Sequence, residues 1–298
     1  MPAAAQEQRT DVRFVSGDAD CAAWLYRPSA APAPLVILGH GLGAVREMRL
    51  DAYAERFCGA GFAALVFTYR HFGDSGGRPR QLLDIGRQLD DWAAALSFAR
   101  GLDGIDTGRI ALWGSSFGGG HVLEAAARDA RVAAVVSQCP FTDGLASLAA
   151  IDPLTAARIT ARALRDDLAH LAGRGPIRIP TAGPPGSTAL MTAPDAVAGL
   201  EALTRGLDVD DSVAARIGTR VGFYRPGRAL KRVQAPTLMC ICDDDSVAPA
   251  KAALRHAARG NDVEVRRYPI GHFEIYFGEP FERAVSDQTD FLRRHLTT

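Results

Sequence analysis

Short runs of Val, Ile and Leu alternate along the chain with longer stretches in which apolar residues recur every three or four positions. That alternation predicts an α/β fold built on a mostly parallel sheet. Residues 12–15 and 22–26 read as an opening antiparallel pair of strands. A Pro/Ala-rich turn over 27–34 leads into 35–38, an unbroken apolar run of the kind buried on both faces of a sheet. Leu50, Tyr53, Ala54, Phe57 and Cys58 then fall at i, i+3, i+4, i+7 and i+8, the spacing of an amphipathic helix, and Gly59 and Gly61 end it. A strand at 63–67 follows. Next comes a helix with Ile85, Leu89, Trp92 and Leu96 on one face, then strands at 110–113 and 132–137.

The rhythm breaks from 142 to 232. Helical patterns at 153–171 and 196–206 flank a Pro/Gly-rich loop over 173–194. Alternation then resumes with strands at 237–241 and 263–268 and a helix over 248–259 between them. A closing helix carries Phe281, Ala284, Val285, Phe291 and Leu292 on one side. Residues 1–141 and 233–298 therefore read as one catalytic core, and 142–232 as an insertion within it. Long loops inside a compact domain are commonly functional, so the insertion is expected to form a lid over the site. Leu154, Leu164, Leu168, Leu171 and Leu190 supply it with apolar surface, either to line a pocket or to pack the lid on itself.

Composition narrows the class. Hydrophobic residues are 47% and charged residues 23%, ordinary for a globular enzyme. Lys plus Arg and Asp plus Glu are both 34, so there is no basic excess to suggest a nucleic-acid partner. No apolar run approaches the ~20 residues needed to cross a bilayer, and the N-terminal stretch has no apolar leader segment. The five cysteines are an odd number, and four lie in apolar segments. They read as buried free thiols in a reducing compartment, hence a cytoplasmic protein without metal or cofactor.

The chemistry begins at Gly114-Ser115-Ser116-Phe117-Gly118, a G-x-S-x-G motif. It follows the strand at 110–113 and opens a helix through Val122, Leu123 and Ala127. A serine flanked by glycines in a strand–turn–helix is a nucleophile elbow, which lifts the hydroxyl clear of the sheet. A serine hydroxyl needs a base within hydrogen-bond reach. Of the seven histidines, His121, His170, His256 and His295 lie in helical patterns and read as packing or surface residues. His40 ends a strand beside glycines, and His71 sits in a loop after another strand. His272 lies just beyond the last strand, where a parallel sheet delivers a loop residue to the edge that carries the elbow. The acid should fall between serine and histidine in the chain. The run Asp243-Asp244-Asp245, after the strand at 237–241, supplies three candidates, and Asp143 is a fourth.

With these residues the sequence resembles the α/β-hydrolase superfamily, and more narrowly the bacterial dienelactone hydrolases and Xaa-Pro dipeptidyl-peptidase-like esterases. The resemblance spans His40-Gly41-Leu42-Gly43, the run from Tyr69 to Gly77, the elbow, the acid loop and Gly271-His272-Phe273. In that family the acid turn reads Gly-x-x-Asp with a proline four residues on. Here Cys242, Asp245 and Pro249 take those places, so the resemblance selects Asp245 from its neighbours, with Cys242 departing from the family's glycine. It also implies an oxyanion hole formed by the backbone amides of Leu42 and Phe117, a structural role for His40, and a position for His71 either lining the pocket or packed beneath it.

A serine nucleophile forms an acyl-enzyme with an ester, thioester or amide, which water then hydrolyses. The expectation is a carboxylic ester hydrolase acting on a small-molecule ester or thioester. Thioester cleavage or acyl transfer uses the same residues. A ligand-binding protein on the same fold is the reading from another class, but a pure binder has no use for a base and an acid in register with a serine.

Overall fold

The computed structural model describes residues 9–297. Residues 1–8, part of the stretch read above as lacking an apolar leader, lie outside them. The chain runs β1 (Arg9–Ser16), β2 (Ala19–Tyr26), β3 (Ala33–Gly39), α1 (Leu50–Gly59), β4 (Ala63–Phe67), α2 (Ile85–Arg100), β5 (Ile105–Ser115), α3 (Phe117–Arg128) and β6 (Ala134–Gln138). It continues through α4 (Gly144–Ala149), α5 (Pro153–Leu171), β7 (Arg178–Pro180), α6 (Ala196–Thr204) and β8 (Ser212–Ala214). It closes with β9 (Thr237–Cys242), α7 (Ala250–Ala257), β10 (Val263–Tyr268) and α8 (Gly278–Leu296).

Eight strands form one sheet in the order β1-β2-β4-β3-β5-β6-β9-β10. The first three pair antiparallel, and the others run parallel. This is the mostly parallel α/β-hydrolase sheet that the alternation and the resemblance predicted. Its central strands are apolar throughout because both faces are covered. Along β3, Leu35 and Ile37 enter one core while Val36 and Leu38 enter the other. Trp92 and Leu96 of α2 and Val122 and Leu123 of α3 cover the first face, and Tyr53 and Phe57 of α1 and Phe291 and Leu292 of α8 cover the second. The outer strand β10 carries Arg266 and Arg267 exposed, charges that discourage a further strand from adding to that edge.

Register places the functional loops. Ser115 at the end of β5 lies opposite Gln138 at the end of β6, Gln138 opposite Cys240 of β9, and Cys242 opposite Tyr268 of β10. The segments after β5, β9 and β10 therefore emerge at one edge of the sheet, the carboxyl edge, where open α/β sheets hold their ligands.

Between β6 and β9 the chain leaves the sheet and builds α4, α5, α6 and the small β7–β8 pair. The helix expected at 153–171 is α5, and Asp152 caps it by accepting from Thr155 N at 2.8 Å. The Pro/Gly-rich segment is ordered by partners distant in sequence. Ile179 of β7 pairs with Val213 of β8, and both are fully buried. Asp166, also fully buried, accepts from Ile177 N at 2.8 Å, Arg216 N at 2.9 Å and Arg216 Nε at 2.8 Å. Gln81 of the core donates to the carbonyls of Asp210 at 2.7 Å and Ser212 at 2.8 Å, tying the excursion to the sheet domain. No helix among the described residues is long and apolar enough to cross a membrane.

Candidate active site

Ser116 sits between β5 and α3 with φ 56° and ψ −116°, a backbone conformation that a residue with a side chain adopts only where its surroundings enforce it. The enforcement is visible at the flanking glycines. A Cβ on Gly114 would lie 2.2 Å from Gly118 O, and one on Gly118 would lie 2.5 Å from His40 O. Only glycine fits at either position, which is the physical content of the motif. Ser116 N donates to Gln138 O at 2.9 Å and Ser116 O accepts from Phe141 N at 2.9 Å, so the turn is fastened to the segment after β6.

The side chains singled out from the sequence meet here. Ser116 Oγ lies 3.0 Å from His272 Nε2, and His272 Nδ1 lies 2.6 Å from Asp245 Oδ2. The His272 and Asp245 side chains are only 3% and 2% exposed. The other oxygen of Asp245 accepts from the amides of Val247 at 2.9 Å and Ala248 at 2.6 Å, which fixes the carboxylate's rotation. Its neighbours face elsewhere: Asp243 pairs with Arg267 at 2.8 Å, and Asp244 is exposed. With Asp245 accepting at Nδ1, that nitrogen carries the proton and Nε2 is left to accept one from the serine.

Leu42 and Phe117 both line the cavity beside Ser116, and neither amide is engaged by another group among the described residues. Phe117 is the first residue of α3, so its amide also sits at the positive end of a helix dipole. Donors placed this way can stabilise an oxyanion, each typically by roughly 2.7–4 kcal/mol.

Asp143, the alternative acid, is excluded by its partners. It caps α4 through Leu145 N at 3.1 Å and binds Arg225 Nη2 at 2.7 Å and His256 Nε2 at 3.4 Å. His71 does not line the cavity. It is buried with φ 74° in a tight turn, its amide donating to Gly76 O and its carbonyl accepting from Gln81 N. His40 lies under its own loop, with Nδ1 3.0 Å from Gly41 O and Nε2 accepting from Tyr69 N at 3.5 Å. His121 belongs to α3 itself and is buried between Tyr224 Oη at 2.7 Å and Gln88 Oε1 at 2.9 Å.

Burial pushes the pKa of both His40 and His121 down from 6.5 to about 3. The folded state holds them neutral, whereas the unfolded chain protonates them below pH 6.5. Stability is therefore fully present above about 6.5 and falls as the pH drops toward 3, by up to about 1.4 kcal/mol per pH unit for each residue. Urea unfolding at pH 7.5 and pH 5 should show a lower midpoint at pH 5; equal midpoints would contradict this.

The cavity beside Ser116 has a volume of about 350 Å³ and is walled mainly by carbon. Phe141, Leu148, Ile151, Leu190, Ile217 and Val221 form much of its surface, and most of these belong to the excursion between β6 and β9. The five leucines expected either to line a pocket or to pack the insertion on itself do not behave alike. Leu154, Leu164, Leu168 and Leu171 point outward from α5 and are exposed, and only Leu190 of that set reaches the cavity. Sequence reasoning missed a second, smaller cavity of about 40 Å³ on the His272 side of Ser116. Beneath the elbow, Ser115 Oγ contacts Tyr276 Oη and accepts from Gln138 Nε2 at 3.1 Å. All five cysteines are buried free thiols. No cluster of three or more metal-ligating side chains occurs among the described residues.

Comparison with known proteins places the chain among α/β hydrolases. The family described as serine aminopeptidase, S33, matches residues 30–280. The quorum-quenching protein AidA of Acinetobacter baumannii (strain MDR-ZJ06) is 54% identical over 286 residues, covering 95% of this chain and 94% of that protein. A thiohydrolase of Eupenicillium brefeldianum is 27% identical over 98% of this chain and 96% of its own. Among solved structures, the α/β hydrolase GrgF from Penicillium sp. sh18 superposes with a TM-score of 0.83 at 25% identity, covering 97% of this chain and 99% of that one. None of these three is named as a dienelactone hydrolase.

Proposed function

The chain belongs to the serine aminopeptidase S33 family of α/β hydrolases, and from that premise we propose that it cleaves carboxylic esters through an acyl-enzyme. Ser116 is the nucleophile, His272 the general base and Asp245 the acid that orients it. The observation that carries this reading is the unbroken hydrogen-bonded path from Ser116 Oγ through His272 to Asp245 Oδ2, set at a strained elbow.

Ser116 Oγ attacks the ester carbonyl while its proton passes to His272 Nε2. Asp245 stabilises the imidazolium that forms. The developing oxyanion is held by the amides of Leu42 and Phe117, and as it collapses His272 returns the proton to the departing alcohol oxygen. Water then attacks the acyl-enzyme, losing a proton to His272, which passes it to Ser116 Oγ as the acid leaves. An apolar cavity suits an acyl chain better than the charged terminus of a peptide. Residues 142–232 act as the cap that shapes this cavity. The likeness to a quorum-quenching protein fits a small-molecule substrate, and five free thiols fit a reducing compartment such as the cytoplasm.

Thioester cleavage is the second reading, favoured by the likeness to a thiohydrolase. It uses the same steps, with a thiol departing in place of an alcohol. Matched oxygen and sulfur esters of one acid separate the two through their relative kcat/KM. The ester reading predicts steady turnover of methyl esters, followed by acid release and abolished by one equivalent of a fluorophosphonate. Turnover that survives the reagent would remove it.

A further inference from the structure

Ser116 stands between two cavities of unequal size, and we infer from the place of His272 that the substrates join a long apolar acid to a compact alcohol. This rests on the assignment of Ser116 and His272 given above. The larger cavity, about 350 Å³, reaches Ser116 and Phe117 but not His272. The smaller, about 40 Å³, is lined by Ser116 and His272 together with Met48, Leu50, Leu203 and Tyr276.

The direction of the substrate follows from the proton. Collapse of the tetrahedral intermediate breaks the bond from carbon to alcohol oxygen, and that oxygen must receive the proton held on His272 Nε2. The leaving oxygen therefore lies on the His272 side of the serine, within hydrogen-bond reach. Its alkyl group enters the smaller cavity. The acyl substituent, on the opposite side of the reacting carbon, is directed into the larger one. Met191 and Leu42 line both spaces and form the boundary between them.

Size then sets the specificity. A cavity of about 40 Å³ holds only a few water-sized groups, so it accepts a methoxy or ethoxy group and rejects a long alkoxy chain. The larger cavity is within the range of ordinary small-molecule sites and can bury a long chain. Each methylene buried there should raise kcat/KM about fourfold until the cavity is full.

Two ester series test the inference on the intact protein. Methyl esters of straight-chain acids from acetate to decanoate should rise in kcat/KM with acid length. Octanoate esters of alcohols from methanol to octanol should fall by about tenfold or more by the end of the series. Leu203→Ala should raise the butyl-to-methyl ester rate ratio about tenfold, because it enlarges the alcohol side. The reverse dependence, tolerance of long alcohols with loss of long acids, would overturn the inference while leaving the serine mechanism standing. Absence of turnover on every ester, together with resistance to a fluorophosphonate, would instead remove the mechanism and the inference with it.

Discussion

Replacing Ser116 by alanine should lower kcat by about 10⁶-fold and leave KM within a few-fold of the wild type. The expected loss is large because the hydroxyl supplies the bond that defines the pathway. Without it, His272 can only assist water from a position aligned for another atom, and the residual rate comes from the oxyanion amides and substrate positioning. Binding should be little changed, since the cavity is walled by Phe141, Leu148, Leu190 and their neighbours, which do not depend on the hydroxyl. The fold should also survive, because the elbow is held by backbone hydrogen bonds from Ser116 to Gln138 and Phe141, which alanine retains. Steady-state kinetics on a methyl ester such as methyl octanoate, with thermal unfolding as a control, measure both. A variant that keeps a tenth of the wild-type kcat would be incompatible with a serine nucleophile.

Asp245→Asn should cost about 10⁴-fold in kcat. The substitution is nearly isosteric, so the amides of Val247 and Ala248 can still donate to the retained side-chain oxygen. The other atom now offers N–H donors to His272 Nδ1, which forces the proton onto Nε2, the nitrogen that must accept one from Ser116. The tautomer is wrong and the forming imidazolium loses its counter-charge. The same change at Asp243 or Asp244 should alter kcat by less than about threefold, since one faces Arg267 and the other solvent. Equal losses at all three positions would deny Asp245 its role.

What could be read beforehand depended on how local the determinants are. The elbow was legible because its signature lies within five residues; Gly114 is demanded from inside them by Gly118 O, and Gly118 from outside by His40 O after β3. His272 was legible because a parallel sheet brings every loop of one polarity to one edge. Asp245 needed more: residue type alone does not separate three adjacent aspartates, so the choice rested on the family register with Cys242 and Pro249, and the turn that sends its oxygens toward Val247, Ala248 and His272 is its physical counterpart. Asp143 stood as an alternative because it also follows a core strand, and what removes it, its partners Arg225 and His256, comes from remote parts of the chain. The insertion was the least legible region. Strands β7 and β8 have three residues each, too few to show a period, and they find each other across more than thirty residues. The leucines of α5 follow a helical spacing, which identifies a stripe without saying whether it faces protein or solvent. Here the buried face belongs to Thr155, Ile159, Ala163 and Asp166, and the leucines point outward.

The account turns on one atom, Ser116 Oγ, acting as the nucleophile. Its most direct test is to treat the protein with a fluorophosphonate, digest it and locate the adduct by mass spectrometry. The account predicts a single phosphonyl group, on the peptide containing Ser116 and at that residue, absent from Ser116→Ala and formed far more slowly in His272→Ala. An adduct of equal yield on Ser115 or elsewhere, or labelling of Ser116→Ala to the wild-type extent, would contradict it.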